Sequence, residues 1–461
     1  MIKKILAILL AFLLVCLLPV SSLGLGTAEV NKAPTIRVLL GSSSSAGSFS
    51  FTVNSGTYYI VSESTLNGSN YYKSSMSVHA KVPSGSSYTL TAGSGLIAVP
   101  ENEECTFKYG YYTYRGAFKA VTNGTYYYAV NQLDVELYLY GVVGNEIGSF
   151  NTPSMEAQAV AARSYAIGNI SSSNRYYDVT STTSSQVYYG YSSESAKIRN
   201  AVDSTSGWVL AYDGDIIETY YSSSHGGYSE NIENVWMSDA VPLVGVPCPY
   251  DKVAGTTIYG DYAASCWSWS VEYTPDELVS LANSYSGTDI GDFVSISMSK
   301  TYNGKTSVSG RAMQVTIKGT KGSVTATKDN IRWLLDLKST LFTISNPDGT
   351  QSVAYVLGKG NKLTPWEDIS GLFAQSGSDS VIEANGTDDD IYVLSADGKT
   401  KLSKSGDVST GGNVVISGYG YGHGVGMSQW GAIAMGDNGY AWQEIIDLFY
   451  CQGGVKLTRC Y

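Results

Sequence analysis

Glycine occupies every second position from Gly418 to Gly426, and this spacing constrains the fold more than any other part of the sequence. An extended backbone without side chains on one face can lie flush against a ligand or a neighbouring strand. Side chains then project only from the positions between the glycines, Tyr419, Tyr421, His423 and Val425. The stretch therefore predicts a binding site, and a tight glycine turn that closes a sheet is the alternative.

Two familiar glycine motifs do not fit this stretch. A dinucleotide-binding fingerprint needs glycine at its first, third and sixth positions, and in every register the sixth position holds another residue. The nucleophile elbow of hydrolases needs a glycine two residues before and two residues after the serine. Ser428 has Gly426 before it but Trp430 after it, so we expect no serine nucleophile here.

Composition limits the partners of the chain. Its 461 residues suffice for two to three domains or for one elaborated domain. A net charge of -11 with only 15% charged residues argues against nucleic acid, whose phosphates require basic patches. The 37 tyrosines suit binding of an uncharged sugar polymer through aromatic faces, although β-propensity alone would also explain them.

The first residues predict export. Two lysines precede an apolar run over residues 5–18, so residues 1–28 are predicted to be a signal peptide. An uncleaved anchor through residues 5–20 is the alternative, because the run is only slightly short for a bilayer span. The protein is therefore expected at the cell wall or outside the cell.

Five cysteines follow the signal segment, which is an odd number for an exported chain. We expect at least one disulfide among Cys248, Cys266, Cys451 and Cys460, because their two short spacings suit pairing outside the cell. Buried free thiols are the alternative.

Short apolar runs between serine and glycine clusters predict a β-rich N-terminal module over residues 29–105, either a binding module or part of the catalytic body. Asn123-Gly124 is a strong hairpin signal between two further strands. Residues 133–143 fit a strand or a short helix capped by Asp134, and the pattern does not decide between them.

The clearest helix covers residues 153–169. Pro153 suits the first turn, Asn151 or Thr152 can cap the helix, and its alanines form a face that can approach a neighbour closely. Glu146 lies just before this helix in a glycine-bordered segment, which we expect to be a loop.

The second half of the chain predicts more short elements. Residues 346–412 are expected to form a loop-rich β insertion. The predicted class is α+β and β-rich, with antiparallel sheets, an alanine-rich helix beside the catalytic loop, and this insertion. The other expected elements are a helix near residues 328–337 and strands at residues 216–221, 294–298, 313–317 and 342–344.

Three segments together resemble the stage II sporulation protein D family: residues 138–147, 157–166 and 418–432. The resemblance covers about residues 109–457 apart from the insertion, and it implies that residues 106–461 form a catalytic domain of that type. The family includes lytic transglycosylases, which cut peptidoglycan glycan strands stripped of peptides. It also includes amidase enhancers, which assist another hydrolase.

The resemblance implies that Glu146 is the catalytic acid of a lytic transglycosylase. Such an enzyme uses one carboxyl group, where ordinary glycoside hydrolysis uses two. The carboxyl must be protonated near neutral pH, which requires a pKa raised by partial desolvation. From the residue alone, a cap of the following helix is the simpler interpretation of Glu146.

Other side chains are expected to bind the glycan. Polar groups would orient acetamido and hydroxyl groups, and tyrosine rings would face the sugars. A structural histidine is the alternative for His423, and His225 is expected behind the site. The predicted substrate-binding residues are Gln186, Tyr188, Tyr419, Tyr421, His423, Ser428 and Gln429.

Some members of the family hold zinc through His and Cys residues just before the Gln-Val-Tyr segment. Here those positions hold only threonine and serine, Thr180 to Ser185. His79, His225 and His423 form no pair at metal-ligand spacing. We therefore expect no metal and no other cofactor.

Two other functions compete with the transglycosylase. A glycan-binding enhancer of a cell-wall amidase would share the cleft without depending on Glu146. A peptidase is disfavoured, because no cysteine adjoins a histidine-bearing motif at a helix start and Ser428 lacks its elbow. The expected partners are glycan strands, with a cell-wall amidase in the enhancer alternative, and no nucleic acid.

Overall fold

The structure is a computed structural model, and its described residues from 34 to 460 belong to one compact unit. The predicted signal peptide, residues 1–28, lies outside the described residues. Within the described part, no helix has the length and apolar character needed to cross a membrane. The described residues are 33–170, 176–236, 242–255, 259–345, 412–461 and short strands between 355 and 401.

Two sheets occupy the N-terminal part of the chain, and their strands follow the apolar runs of the sequence. The seven-stranded sheet has the order β11-β1-β10-β9-β6-β3-β4, and the four-stranded sheet has the order β5-β2-β7-β8. The β1–β11 pair is parallel, and the other pairs are antiparallel. The strands are β1 (Thr35–Ser43), β2 (Ser48–Ser55), β3 (Thr57–Ser62), β4 (Val78–Pro83), β5 (Ser87–Thr91), β6 (Leu96–Pro100), β7 (Thr106–Tyr109), β8 (Tyr112–Arg115), β9 (Ala117–Thr122), β10 (Tyr127–Asp134) and β11 (Val179–Thr180).

These two sheets pack face to face over aromatic rings. The ring centroid of Phe118 on β9 lies 5.2 Å from that of Phe51 on β2 and 5.3 Å from that of Phe107 on β7. Each sheet contains strands from both sides of residue 105, since β2 pairs with β7 and β6 pairs with β9. The predicted 29–105 module therefore shares its sheets and its core with the chain that follows.

Helices make up much of the rest of the described part. Together with the sheets they confirm the predicted α+β class. The helices are α1 (Val135–Glu146), α2 (Thr152–Gly168), α3 (Ala196–Ser204), α4 (Ile232–Val235), α5 (Tyr250–Ala254), α6 (Gly260–Trp267), α7 (Pro275–Ser286), α8 (Asn330–Leu335), α9 (Gln429–Asp437) and α10 (Trp442–Tyr450).

Glu146 is the last residue of α1, so the expectation that it lies in a loop is wrong. The chain is a strand as far as Asp134 and a helix afterwards, which decides the ambiguity over residues 133–143. The glycines of this segment suggested a loop. Two of them instead lie inside α1, where a neighbouring segment approaches too closely for a side chain. A Cβ on Gly141 would lie 2.7 Å from the ring of Tyr188, and a Cβ on Gly144 would lie 2.2 Å from the carbonyl oxygen of Ser193.

The alanine-rich helix is confirmed as α2. Asn151 caps it, because its side chain accepts a hydrogen bond from the N–H of Ser154 at 3.0 Å. Glu146 therefore does not cap this helix. The small residues on one face are fully buried and let α2 contact α1, α9 and α10. These residues are Ala159, Ala162 and Ala166.

The second half of the chain contains short sheets. The predicted strands at 294–298, 313–317 and 342–344 are confirmed as β16, β19 and β21, and the predicted helix is α8. The strands are β12 (Trp208–Tyr212), β13 (Asp215–Ile216), β14 (Tyr221–Ser222), β15 (Ser268–Tyr273), β16 (Phe293–Ser299), β17 (Thr301–Tyr302), β18 (Lys305–Thr306), β19 (Gln314–Gly319), β20 (Ser323–Thr327), β21 (Phe342–Ser345), β22 (Tyr355–Leu357), β23 (Leu363–Pro365), β24 (Phe373–Gln375), β25 (Val381–Glu383), β26 (Tyr392–Ser395), β27 (Gly398–Lys401), β28 (Val414–Tyr419), β29 (Met427–Ser428) and β30 (Lys456–Arg459).

One predicted strand, at residues 216–221, is largely wrong. Only its ends form β13 and β14. Between them the chain crosses α2, where the hydroxyl of Thr219 donates to the carbonyl oxygen of Ala161 at 2.6 Å. Tyr220 also lies in this crossing segment.

A separate hydrophobic core lies beneath the sheets β15-β28-β21 and β16-β19-β20 and the helices α7 and α8. The glycine-rich stretch leaves this subdomain at the end of β28. Within the predicted insertion, β22–β27 form three antiparallel hairpins, and the rest of residues 346–411 lies outside the described part.

The predicted disulfide is wrong, because all five described cysteines are free. Cys248 and Cys266 are both buried but belong to different hydrophobic clusters. Cys460 instead places its Sγ 3.4 Å from the carbonyl oxygen of Gly207. The alternative from the sequence, free thiols, describes this chain better.

Candidate active site

The Glu146 carboxyl group is held between two distant segments at the end of α1. Its Oε1 accepts a hydrogen bond from the backbone N–H of Val187 at 2.6 Å. The side-chain Nε2 of Gln429 donates to the carbonyl oxygen of Glu146 at 3.0 Å and lies 3.5 Å from its Oε2. The Glu146 side chain is half-buried, so part of it remains open to solvent.

Burial raises the pKa of the Glu146 carboxyl group to about 7. The hydrogen bonds from Val187 and Gln429 favour the charged form and oppose part of this rise. Its position at the C-terminal end of α1 acts in the same direction as burial, because the helix dipole disfavours a negative charge there. A carboxyl group with this pKa can both donate and accept a proton near neutral pH.

Gln186 directly precedes Val187 in the chain. It is 0% exposed, and its Nε2 donates to the hydroxyl of Tyr221 at 2.9 Å. Its Oε1 accepts from the hydroxyl of Tyr138 at 3.2 Å. The Gln186 side chain therefore has no surface to offer a ligand, which corrects the expectation that it binds substrate. Its hydrogen bonds instead fix the neighbouring Val187.

Tyr188, the residue after Val187, is also buried. Its side chain is 1% exposed, and its hydroxyl donates to the side chain of Asn131 at 3.0 Å. Its ring packs against α1 at Gly141. Tyr188 therefore holds the Val187 segment against the helix that carries Glu146, and it does not line a substrate surface as expected.

Ser428 and Gln429 begin α9 and differ in role. Ser428 is 0% exposed; its hydroxyl donates to the carboxylate of Asp251 and accepts from the N–H of Gly431 at 3.2 Å. Ser428 is thus a helix cap with no access to substrate, which corrects the expectation for it. Gln429 is the predicted residue that the structure does bring to Glu146.

His423 has both ring nitrogens bonded to the backbone. Nε2 donates to the carbonyl oxygen of Tyr221 at 3.0 Å, and Nδ1 accepts from the N–H of Val425 at 3.0 Å. Burial lowers the pKa of His423 to about 3, so the ring is neutral. The nitrogens have a structural role, as in the alternative from the sequence, and the residue as a whole is half-buried.

The glycine-rich stretch is not extended after β28, contrary to the expectation for Gly418 to Gly426. Gly420, Gly422, Gly424 and Gly426 have φ values of 82°, 115°, 78° and 71°, a region that favours glycine. The second requirement is space, since a Cβ on Gly426 would lie 2.0 Å from the carbonyl oxygen of Tyr220. A series of tight turns therefore replaces the predicted flat strand.

The tyrosines of this stretch remain on the surface. Tyr419 is 48% exposed and Tyr421 is 37% exposed. The ring centroid of Tyr419 lies 5.4 Å from that of Trp267, and the ammonium group of Lys338 lies 5.7 Å from the ring centroid of Tyr421. Both rings can still offer a face to a sugar.

Several residues around Glu146 were missed from the sequence. The donor from Val187 is a backbone group and has no side-chain signal. Gln158 on α2 is 0% exposed and lies 3.4 Å from the Nε2 of Gln429. A glutamine among the alanines of a close-packed helix was the available signal for it. Tyr165, also on α2, is half-buried; burial raises its pKa, and the charges of Glu218 and Glu146 add to the rise.

The segment before Gln186 does not fit zinc. Its side chains are hydroxyls, and that of Ser185 accepts from the N–H of Thr180 at 3.1 Å. In the part of the chain that the structure describes, no group of three or more His, Cys, Asp and Glu side chains could hold a metal ion. Zinc independence stays a prediction for elemental analysis.

Two surface cavities lie away from Glu146. One of about 300 Å³ is lined by Arg115 and Tyr191, and the other, of about 610 Å³, lies along α10. Glu146 lines neither of them. The candidate site is therefore identified by the chemistry of one carboxyl group and its partners.

Comparison with known proteins defines the class. Residues 123–212, which include Glu146 and the Val187 segment, match the family model described as stage II sporulation protein. Residues 254–361 match a domain of unknown function. Residues 123–212 therefore carry a stage II sporulation protein domain, and the chain is similar to the amidase enhancer and to stage II sporulation protein D.

Particular relatives cover different shares of the chain. The amidase enhancer of Bacillus subtilis is 28% identical over 342 residues, which are 69% of this chain and 40% of that protein. The stage II sporulation protein D of Bacillus subtilis is 32% identical over 141 residues, 27% of this chain and 41% of that protein. An uncharacterized protein of Brachyspira hyodysenteriae is 39% identical over 119 residues, 25% and 32% of the two chains. The chain thus spans less than half the length of these relatives.

Proposed function

We propose that this chain is a lytic transglycosylase that cleaves peptide-stripped glycan strands of peptidoglycan. The observation that carries the proposal is the half-buried Glu146 carboxyl group with a pKa of about 7. The family supports a role at the cell wall. The resemblance of the residues around Glu146 to those of the family's transglycosylases supports this reaction.

In the proposed reaction Glu146 acts first as an acid and then as a base. The protonated carboxyl donates its proton to the glycosidic oxygen, and the bond from that oxygen to the anomeric carbon of muramic acid breaks. The carboxylate then removes the proton from the primary hydroxyl of the same sugar. The oxygen of that hydroxyl bonds to the anomeric carbon, so an anhydro-muramyl end forms and Glu146 regains its proton.

The neighbours of Glu146 suit both steps. The N–H of Val187 and the side chain of Gln429 hold the carboxylate that remains after proton donation, while burial keeps the protonated form accessible. Tyr419 and Tyr421 are proposed to face sugar rings, since they are exposed. The buried Gln186 and Tyr188 are proposed to position the Val187 segment.

Glycan strands outside the cytoplasm are the proposed substrate and place of action. The apolar run at residues 5–18 supports export, by a cleaved signal peptide or an anchor. The relatives named for sporulation and for amidase enhancement also support an extracytoplasmic role.

Enhancement of a cell-wall amidase is the second candidate function. It is favoured by one observation, that the match to the amidase enhancer covers 69% of this chain whereas the match to stage II sporulation protein D covers 27%. An enhancer would bind strands and increase amidase activity without needing the proton of Glu146.

Glu146→Gln tests the proposal. Glutamine keeps the size and polarity of the side chain but cannot supply the proton, so the rate of strand cleavage should fall roughly 10²–10⁴-fold. Strand binding should persist. The measurement is the formation of anhydro-muramyl ends from peptide-free strands, with thermal melts of both proteins to verify folding.

Glu101→Gln is the matched control, because Glu101 is an exposed carboxyl on the N-terminal sheets. It should cleave at the wild-type rate. A folded Glu146→Gln protein that also cleaves at that rate would exclude Glu146 as the acid. A wild-type protein that binds strands and stimulates an amidase but never cleaves would establish the enhancer function instead.

A further inference from the structure

Four half-buried rings form a continuous row, which we call the aromatic row: Tyr165, Tyr220, Trp236 and His423. Ring centroids are 5.9 Å apart for Tyr165 and Tyr220, and 4.6 Å apart for Tyr220 and Trp236. The centroid of His423 lies 4.9 Å from that of Trp236. The four residues come from four segments of the chain, so the fold assembles the row.

One end of the row lies at the proposed catalytic group. Burial raises the pKa of Tyr165, the neighbouring Ser185 side chain opposes part of this rise, and the nearby charges of Glu218 and Glu146 add to it. Ser185 is two residues before Val187, whose N–H binds the Glu146 carboxyl at 2.6 Å. The row therefore starts beside Glu146 and leads away from it.

The row differs from the rings of the core. Tyr138 and Tyr188 are 0% and 1% exposed, whereas each residue of the row is half-buried. Core rings pack on all sides, so their open surface is lost. The residues of the row pack against the core and against one another, but they keep part of their surface accessible.

Polar groups border the row. The hydroxyl of Tyr220 donates to the carboxylate of Glu218 at 2.9 Å, and Glu218 is itself half-buried. The imidazole of His423 is neutral, because its pKa is lowered to about 3. An uncharged ring surface beside a carboxylate and hydroxyls matches a sugar, which has apolar C–H faces and hydroxyl edges.

We propose that the aromatic row binds successive sugar rings of the glycan strand on one side of the bond cleaved at Glu146. This inference rests on the proposed function for the identity of the strand. The row supplies stacking faces, and Glu218 accepts hydrogen bonds from sugar hydroxyls. Longer strands reach Trp236 and His423, while short oligosaccharides fill only the end near Tyr165.

Binding is tested in the Glu146→Gln protein, so that bound strands persist. Trp236→Ala should weaken the affinity for long peptide-free strands about tenfold, which corresponds to loss of one stacked ring. Trp236→Phe should restore part of it. Oligosaccharides too short to reach Trp236 should bind equally to all three proteins. Trp333→Ala is the matched control, since Trp333 is 70% exposed on α8, and it should bind like its parent.

A second measurement does not depend on how the Trp236 variants fold. Hydroxyl-radical footprinting of the Glu146→Gln protein should show that bound strands protect Trp236 and Tyr220 from oxidation but leave Trp333 unprotected. Unchanged affinity in folded Trp236→Ala, or strands that bind without protecting Trp236, would overturn the proposal. Failure of the wild-type protein to cleave the same strands would refute the proposed activity and leave this binding result standing.

Discussion

The free energy of unfolding should depend on the protonation of Glu146. The pKa of this carboxyl group is raised from 4.5 to about 7 in the folded protein, so the folded state holds the proton more tightly than the unfolded state. Below about pH 4 both states are protonated and the effect vanishes. As the pH rises from 4.5 towards 7, the unfolded chain loses its proton first, and the stability of the fold decreases.

Glu146→Gln should therefore stabilise the protein at alkaline pH. At pH 8 the variant should exceed the wild type by at most roughly 3 kcal/mol, and near pH 4 the two should be nearly equal. The measurement is denaturant unfolding of both proteins across this pH range. A variant that is less stable than the wild type at pH 8 would mean that the ionised carboxyl stabilises the fold and that its pKa is not raised.

At the residue scale the sequence predicts the acid but not its environment. Glu146 follows from a motif, and Gln429 from the same resemblance. The donor at Val187 is a backbone group, and Gln186, Tyr188 and Ser428 have polar side chains that the fold uses internally. Burial of polar side chains depends on contacts between distant segments, which local sequence patterns do not contain.

The glycine turns after β28 are required by their neighbours as well as by their backbone angles. Gly424 has a φ of 78°, and a Cβ at this position would lie 2.4 Å from Nη2 of Arg311. Arg311 is 1% exposed, and its Nη2 donates to the carbonyl oxygen of His225 at 2.7 Å. The guanidinium group therefore has little freedom to move away.

Gly424→Ala is compared with Gly439→Ala. Gly439 has a φ of 88°, and a Cβ at this position would have no atom within 4 Å, so its substitution introduces backbone strain alone, about 1–2 kcal/mol. Gly424→Ala should cost roughly 1–3 kcal/mol more because of the contact with Arg311. The measurement is denaturant unfolding of both variants, and equal losses would contradict the close packing of Gly424 on Arg311.

Local signals predict some elements better than others. Alanines and a proline identify α2 correctly. Gly141 and Gly144 suggest a loop where α1 forms, because their need for space comes from Tyr188 and Ser193. The strand pattern at residues 216–221 is overridden by the crossing over α2, where backbone and hydroxyl groups find other partners.

At the scale of the whole molecule, the site joins segments far apart in the chain. Glu146 and Gln429, which contact each other, are 283 positions apart. The glycine stretch reaches the site from a subdomain with its own hydrophobic core, which includes β28. Composition and motifs predict the α+β class. Only the resemblance predicts that Glu146 and the glycine-rich stretch belong to one site.

Product analysis of wild-type protein tests the central claim, that one carboxyl group cleaves strands by transfer to the sugar's own hydroxyl. Peptide-free strands are incubated with the protein alone in water labelled with heavy oxygen, and the new ends are analysed by mass spectrometry. Every new muramyl end should be an anhydro end, lighter by one water than a reducing end and free of label. Labelled reducing ends, or no new ends at all, would contradict the claim.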